Sequence, residues 1–296
     1  MPKEVGMNKV AVMTDTISQM PKEIADKYDI KVMPTYITIE GKTYRDTEIN
    51  PTQFYEHLLQ LKETEKLPTT SGIPIGDFLE AYRELSRKAE AILYISHSPK
   101  LGMSVNAARQ AKQMAQDELP QTDIEVIDSG TAVGAQMLIA LESARAAARG
   151  KSLPEIVEVA NNMIARAKYI GLIDNLDYLA TGGRIVDGRA WAEVRVSTKA
   201  LLETDATAGK VHAPLARYKT KAKAVEGLLE IMKERCRDKK LHVVINHINV
   251  PHEAEELRKR VLSQLQCTEL YVTETLPVVG VNVGPGSLFL SWWSED

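Results

Sequence analysis

The first half of the chain alternates short apolar runs with helical spacings. Val10-Ala11-Val12-Met13 is an apolar run that stops at the polar Thr14-Asp15-Thr16. Pro21 then opens a helix, where its missing N–H costs nothing. Residues 30–39 are β-branched and alternating, and Glu40-Gly41 turns the chain toward Thr43-Tyr44. Residues 51–61 read as a helix. Phe78, Leu79, Tyr82 and Leu85 recur at helical spacing behind Pro74 and Gly76. Residues 91–95 and 124–127 are short buried strands, with a helix over 106–115 between them. An Ala-rich helix follows Asp128-Ser129-Gly130 and ends at Gly150. This strand–helix alternation predicts βαβ units on a parallel sheet.

Ser152-Leu153-Pro154-Glu155 has the capping-box form and starts a helix running to about 167. Beyond it the pattern changes. Strands are predicted over 168–173, 194–201, 211–215, 241–248, 270–273 and 278–283, and helices over 221–235 and 251–265. The chain of 296 residues exceeds one ordinary core and suits two. The expected division is 1–165 and 166–296.

Composition narrows the function. With 37 basic and 40 acidic residues the net charge is −3, which argues against a binder of nucleic-acid backbone. Two cysteines, Cys236 and Cys267, make no disulfide framework. The N-terminus does not read as a secretory signal and no stretch is long and apolar enough to span a bilayer, so a soluble cytoplasmic protein is expected. Aromatics are 5% of the residues, so Leu, Ile, Val, Ala and ten Met must fill the core, a lining that also suits a flexible hydrocarbon.

The chemistry-bearing motifs are few. There is no Walker-type loop, no GxGxxG and no GxSxG. The six histidines form no metal-ligand spacing, so neither metal nor cofactor is expected. His242 and His247 bracket a buried strand and read as structural. Loops after the carboxyl ends of parallel strands carry ligand sites. Here these are 14–16, 96–98 and 128–130. Thr69-Thr70-Ser71 places three hydroxyls ahead of a helix, either as an anion receptor or as an N-cap. Gly182-Gly183 ends a helical turn and presents Arg184, which suits a carboxylate or phosphate fork or a partner contact. Val283-Gly284-Pro285-Gly286 is a tight turn. Asp15, Asp128 and Asp177 are the available acid/base groups, and the sequence pairs none of them with a base or nucleophile.

Together these segments resemble the DegV family, whose characterised members are the fatty-acid-binding (FakB-type) subunits of bacterial fatty acid kinase. Thr14-Asp15-Thr16 is similar to the family's TDS start, and Pro68-Thr69-Thr70-Ser71 with Pro74 to its PTTSQP loop. Asp128-Ser129 resembles its DS pair. Leu176-Asp177-Tyr178-Leu179 with Gly182-Gly183-Arg184-Ile185 resembles LxYLxxGGRI, the most specific match. Arg217 with Lys221-Ala222 resembles a later R…KA segment, and residues 282–286 resemble the terminal HxGPG.

The resemblance implies two α/β domains, an N-terminal one on a parallel sheet and a C-terminal one on a mixed sheet, with a lipid tunnel between them. It implies a long-chain fatty acid as ligand, no catalysis by this chain, and a separate kinase subunit that phosphorylates the carboxyl group. Carried over, the first ligand loop falls on Thr70 and Ser71 and the GGR arginine on Arg184. Two positions depart. The family's loop serine becomes Gly102, with Ser98 and Ser104 as neighbouring hydroxyls, and its histidine becomes Asn282. The head-group site is therefore expected to rest on neutral donors, chiefly Thr70 and Ser71. The alternatives are a divergent member that binds another acyl or small ligand without a kinase, and an enzyme.

Overall fold

The computed structural model describes residues 8–63, 66–183, 198–205 and 210–295. The predicted alternation of the first half is present: β1 (Asn8–Asp15), α1 (Lys22–Lys27), β2 (Ile30–Met33), β3 (Tyr36–Ile39), β4 (Lys42–Arg45), α2 (Pro51–Glu63), β5 (Thr69–Ser71), α3 (Ile75–Leu85), β6 (Ala89–Ser96), α4 (Ser104–Ala115), β7 (Asp123–Asp128), α5 (Val133–Ala148) and α6 (Leu153–Arg166). A parallel sheet forms in the order β2-β1-β6-β7. The alternating stretch 30–39 is not one strand. Pro34 lies between β2, which joins this sheet, and β3, which forms a three-stranded antiparallel sheet in the order β4-β3-β5.

The remaining elements are β8 (Lys168–Ile173), α7 (Asp177–Thr181), β9 (Lys199–Asp205), β10 (Lys210–Tyr218), α8 (Lys221–Arg235), β11 (Leu241–His247), α9 (Pro251–Gln264), β12 (Cys267–Glu274), α10 (Pro277–Val283) and β13 (Leu288–Ser294). Six strands form a mixed sheet in the order β10-β9-β8-β13-β11-β12, antiparallel except for β11 and β12.

Two expectations fail here. The valine-rich segment 278–283 is helix α10, with Pro277 in its first turn and nearly every residue buried. A short segment that is apolar all round has no periodicity to separate strand from helix. Conversely, Leu288–Ser294, where no strand was expected, lies between β8 and β11 in the six-stranded sheet.

Helix α5 joins the two large sheets. Twelve of its sixteen residues are buried, so it has no solvent face to speak of. Its apolar side chains share one cluster with Ala91, Leu93 and Ile95 of the first sheet and Tyr169, Leu202, Val244 and Phe289 of the second. Polar contacts near its N-terminal end orient it. Gln136 Nε2 donates to Thr14 Oγ1 and Asp15 Oδ1, both at 3.1 Å, on the first sheet. The Gly134 N–H donates to Asn246 Oδ1 at 3.0 Å on the second.

Gly134 permits that approach. A Cβ there would lie 2.7 Å from Ser291 Oγ and 2.8 Å from the Cβ atoms of Ser291 and Val244. Gly134→Ala should therefore destabilise the fold by about 1–3 kcal/mol, the cost of overpacking a filled interior. In an open helix the same change would stabilise it. Urea unfolding of both proteins decides the sign.

Candidate functional site

The three loops expected at the carboxyl ends of the parallel strands do converge, because β1, β6 and β7 are neighbours. Asp15, the last residue of β1, is fully buried. Tyr94 Oη donates to its Oδ2 at 2.6 Å, and His97 Nδ1 lies 3.0 Å from the same oxygen. Gln136 and the Ile17 N–H donate to Oδ1, each at 3.1 Å. Burial alone would raise the Asp15 carboxyl. The charge and hydrogen bond of His97, with Tyr94 and Gln136, outweigh it and hold the group below its ordinary 3.8. The sequence left Asp15 without a base, whereas the structure gives it a buried histidine.

Next to this cluster is an apolar cavity of about 50 Å³ between the sheets, lined by Ile17, Leu101, Ala132, Val133, Tyr169, Leu179, Val278, Val279, Asn282, Val283 and Phe289. Val133, a β-branched residue, holds φ at +46° in its wall, a strained conformation that the packing on both sides must maintain. Asn282 also borders a second cleft of about 200 Å³, with Leu67, Pro68, Thr69, Thr70, Thr181, Gly182 and Val281. One side chain thus belongs both to an apolar space and to a hydroxyl-lined one. Its Nδ2 donates to Val278 O at 2.9 Å, which leaves one amide N–H and the oxygen for other partners.

The walls of this cleft are tied together. Lys62 Nζ of α2 lies 3.3 Å from Asp177 Oδ2 of α7 and 4.4 Å from the Tyr178 ring centre. Tyr178 in turn lies against Gly284, whose φ of +84° and lack of a Cβ bring the expected turn close to the ring. Tyr55 Oη donates to Thr275 O at 2.6 Å, and the Leu276 N–H donates to Gln19 Oε1 at 2.7 Å, fixing the chain leading into α10.

The residues singled out in the sequence divide as follows. Thr70 and Asn282 line the same cleft. Thr70 sits mid-strand in β5, and Ser71, pointing the other way, is exposed and lines neither space. Neither is an N-cap: Pro74 precedes α3 and makes no side-chain cap. Ser98 and Ser104 are buried and used locally, Ser98 Oγ accepting from the Lys100 N–H at 3.4 Å and Ser104 Oγ from the Ile73 N–H at 3.3 Å. Gly102 faces His97, since a Cβ on it would lie 2.6 Å from Nε2. Arg184 lies outside the described residues. Gln136 was missed. His97 was in view in the loop at 96–98, but its contact with the loop at 14–16 depends on strand order.

A polar cluster lies apart from this site. Carboxylate oxygens of Glu142 and Glu269 and a nitrogen of His242 lie within 4.8 Å of one another, a spacing that would suit a cation. Arg145 already occupies that role, at 2.6 Å from Glu142 and 2.7 and 2.8 Å from Glu269. His242 stacks on Trp293 at 4.0 Å and is satisfied by Glu269 and Glu295, as a structural histidine would be. His247 is also buried, but among the described residues its Nδ1 has no hydrogen-bond partner.

The sequence profile of the family described as "Uncharacterised protein, DegV family" matches residues 9–295, and the chain belongs to that family. A DegV domain-containing protein of Clostridium perfringens is 29% identical over 288 residues, 97% of this chain and 99% of its own length. Among solved structures, a DegV family protein from Thermus thermophilus, described by its fatty acid binding, is 25% identical with a TM-score of 0.86 over 97% of this chain and 100% of that one. DegV of Bacillus subtilis, described as a fatty acid binding protein, is 26% identical with a TM-score of 0.85 over 98% and 100%. Among the described residues no helix is long and apolar enough to cross a membrane.

The polar cluster behind the site has one pH-sensitive member. Thr16 and Thr35 hydroxyls meet at 2.9 Å, and Thr35 Oγ1 donates to Asp46 Oδ2 at 2.9 Å. Burial raises the Asp46 carboxyl from 3.8 to about 6 against the pull of Thr16 and Thr35. The folded state thus keeps this proton to a higher pH than the unfolded chain, and its contribution to stability is lost as pH rises from about 4 to about 6. Asp46→Asn should remove that decline. Urea midpoints of the two proteins across this interval would reveal it as a converging or constant difference.

Proposed function

We propose that this protein binds a long-chain fatty acid, with its acyl chain between the sheets and its carboxyl group at the cleft shared by Thr70 and Asn282. The observation that carries this reading is the position of Asn282 on both the apolar cavity and the hydroxyl-lined cleft, an arrangement suited to an amphipathic ligand. The fatty acid binding of the Thermus thermophilus and Bacillus subtilis relatives supports it. The cavity of about 50 Å³ is far below the size of a ligand pocket, so acyl entry requires the walls to part. Each buried methylene contributes about 0.8 kcal/mol toward that opening and toward binding. The division of the chain at residue 165 belongs to the same proposal. Every strand of the parallel sheet precedes it, every strand of the mixed sheet follows it, and the cavity draws residues from both sides.

The chain does not itself transform the ligand in this reading. It presents the carboxyl group to a separate kinase subunit, a role that rests on the resemblance in the Gly182-Gly183-Arg184 segment. The narrow cavity favours one competing reading, a shorter acyl or other small ligand. Organic extraction of the purified protein with mass spectrometry, followed by titration with octanoate and palmitate, separates the two. Co-purified or tightly bound long-chain acid supports the first reading. A protein that is empty and takes up no added fatty acid overturns it.

Thr70→Ala should weaken palmitate binding by about 1.5–3 kcal/mol, the range for a hydrogen bond to a charged group. A direct titration showing equal affinity would remove Thr70 from the head-group site. Arg184→Ala should retain lipid on purification but abolish acyl phosphate formation when a fatty acid kinase subunit and ATP are added. Loss of the lipid itself would instead make Arg184 a primary ligand group.

A further inference from the structure

We infer that the cleft at Thr70 and Asn282 also takes an uncharged, hydroxylated head, so that this protein binds a monoacylglycerol as well as the free acid. The inference rests on the fatty-acid reading above, since the acyl chain of the ester would occupy the same apolar space. It adds a second class of ligand, one with no carboxyl group to phosphorylate.

The orientation of the Asn282 amide carries it. Nδ2 donates to Val278 O at 2.9 Å, inside α10. A carbonyl oxygen can accept only from the nitrogen, so this bond settles which end of the amide is which. The other end, Oδ1, lies against the end of α7, where a Cβ on Gly182 would stand 2.8 Å from it. Only glycine at 182 leaves room for that oxygen, and Asn282 and Gly182 both border the cleft. Among the described residues Oδ1 accepts no hydrogen bond, and unlike Tyr178 Oη it is not enclosed. The cleft therefore presents a reachable acceptor without a donor. A carboxylate has no proton to give it, and like partial charges face each other. A hydroxyl donates to it.

The other walls fit the same chemistry. Thr70 stands opposite the fully buried Ile37 in the β3–β5 pair and so shares its inward face, while Thr69 stands opposite Thr38 on the outward one. Thr181, the last residue of α7, borders the cleft from the side of Gly182. Threonine hydroxyls donate and accept, as the hydroxyls of a glycerol ester do, whereas a carboxylate only accepts. Among the described residues that line the two spaces no side chain is charged, and Lys62 and Asp177 nearby are paired with each other. An anionic head thus leaves water without a cation to offset the cost, and a hydroxylated head exchanges its bonds to water for equivalent ones. At roughly 30 Å³ for a water-sized group, two carboxyl oxygens fill only a fraction of a cleft of about 200 Å³.

The test titrates palmitate and 1-monopalmitoylglycerol, which share a tail, at pH 8, where the free acid is ionised. The parent should bind the glyceride within about tenfold of palmitate. Thr181→Val, at an exposed position, should weaken the glyceride about threefold or more and leave palmitate within about twofold. Asn282→His replaces the acceptor with a ring that can donate, and should lower glyceride affinity relative to palmitate about tenfold. Thr181→Val carries the test if thermal melting shows Asn282→His to be unfolded. A parent that binds palmitate but not the glyceride overturns the inference and leaves the fatty-acid reading intact. An unchanged ratio of the two affinities in the folded variants also overturns it, because neither side chain would then meet the head. A parent that binds neither ligand overturns the fatty-acid reading itself.

Discussion

A helix with no solvent-facing side can be stable only if something covers every side of it, and α5 imposes that requirement on this chain. Its residues are apolar nearly all round, so both large sheets pack on it and share one apolar cluster, while separate clusters form elsewhere on each sheet. The approach is close enough on the six-stranded side to exclude a single methyl group at Gly134. Polar contacts of the helix, Gln136 to the first sheet and the Gly134 N–H and Arg145 to the second, then set its rotation and position. The cavity opens at the N-terminal end of this helix, at Ala132 and Val133, where the close-packed contact gives way.

The same placement sorts the candidate site into tail and head. The tail side is made of Val, Leu, Ile and aromatic side chains that can shift against one another without breaking hydrogen bonds. The head side is the hydroxyl-lined cleft that Thr70 and Asn282 share, with the buried Asp15 cluster beyond it. Magnitudes assign the roles. A chain of many methylenes at about 0.8 kcal/mol each outweighs one head-group bond of about 1.5–3 kcal/mol. The acyl chain would therefore supply most of the affinity, and the head group would supply orientation and the choice between acid and alcohol.

The helices and strands with strong periodicity were legible from the residues alone. Phe78, Leu79, Tyr82 and Leu85 announced α3, and the capping box at Ser152 announced α6, where both reciprocal contacts are present. Segments without periodicity were not legible. Residues 278–283 are apolar in every direction, and whether they form a helix depends on Tyr55, Gln19 and the sheet around them. Residues 69–71 read as a polar loop, yet they are an edge strand because β3 is there to pair with them.

What the sequence determined by itself was the alternation of the first half, the change of pattern beyond about 165, the candidate loops and the family resemblance. These depend on local spacing and local chemistry, which a chain carries before it folds. Which loops meet was decided only in three dimensions. Asp15 and His97 are 82 positions apart and touch because β1 and β6 pair side by side, with Gln136 delivered from α5. Thr70 and Asn282 share a cleft because β5 and α10 approach from opposite ends of the chain. Strand order and helix placement are set by the burial of apolar area over the whole molecule, so no window of the sequence contains them.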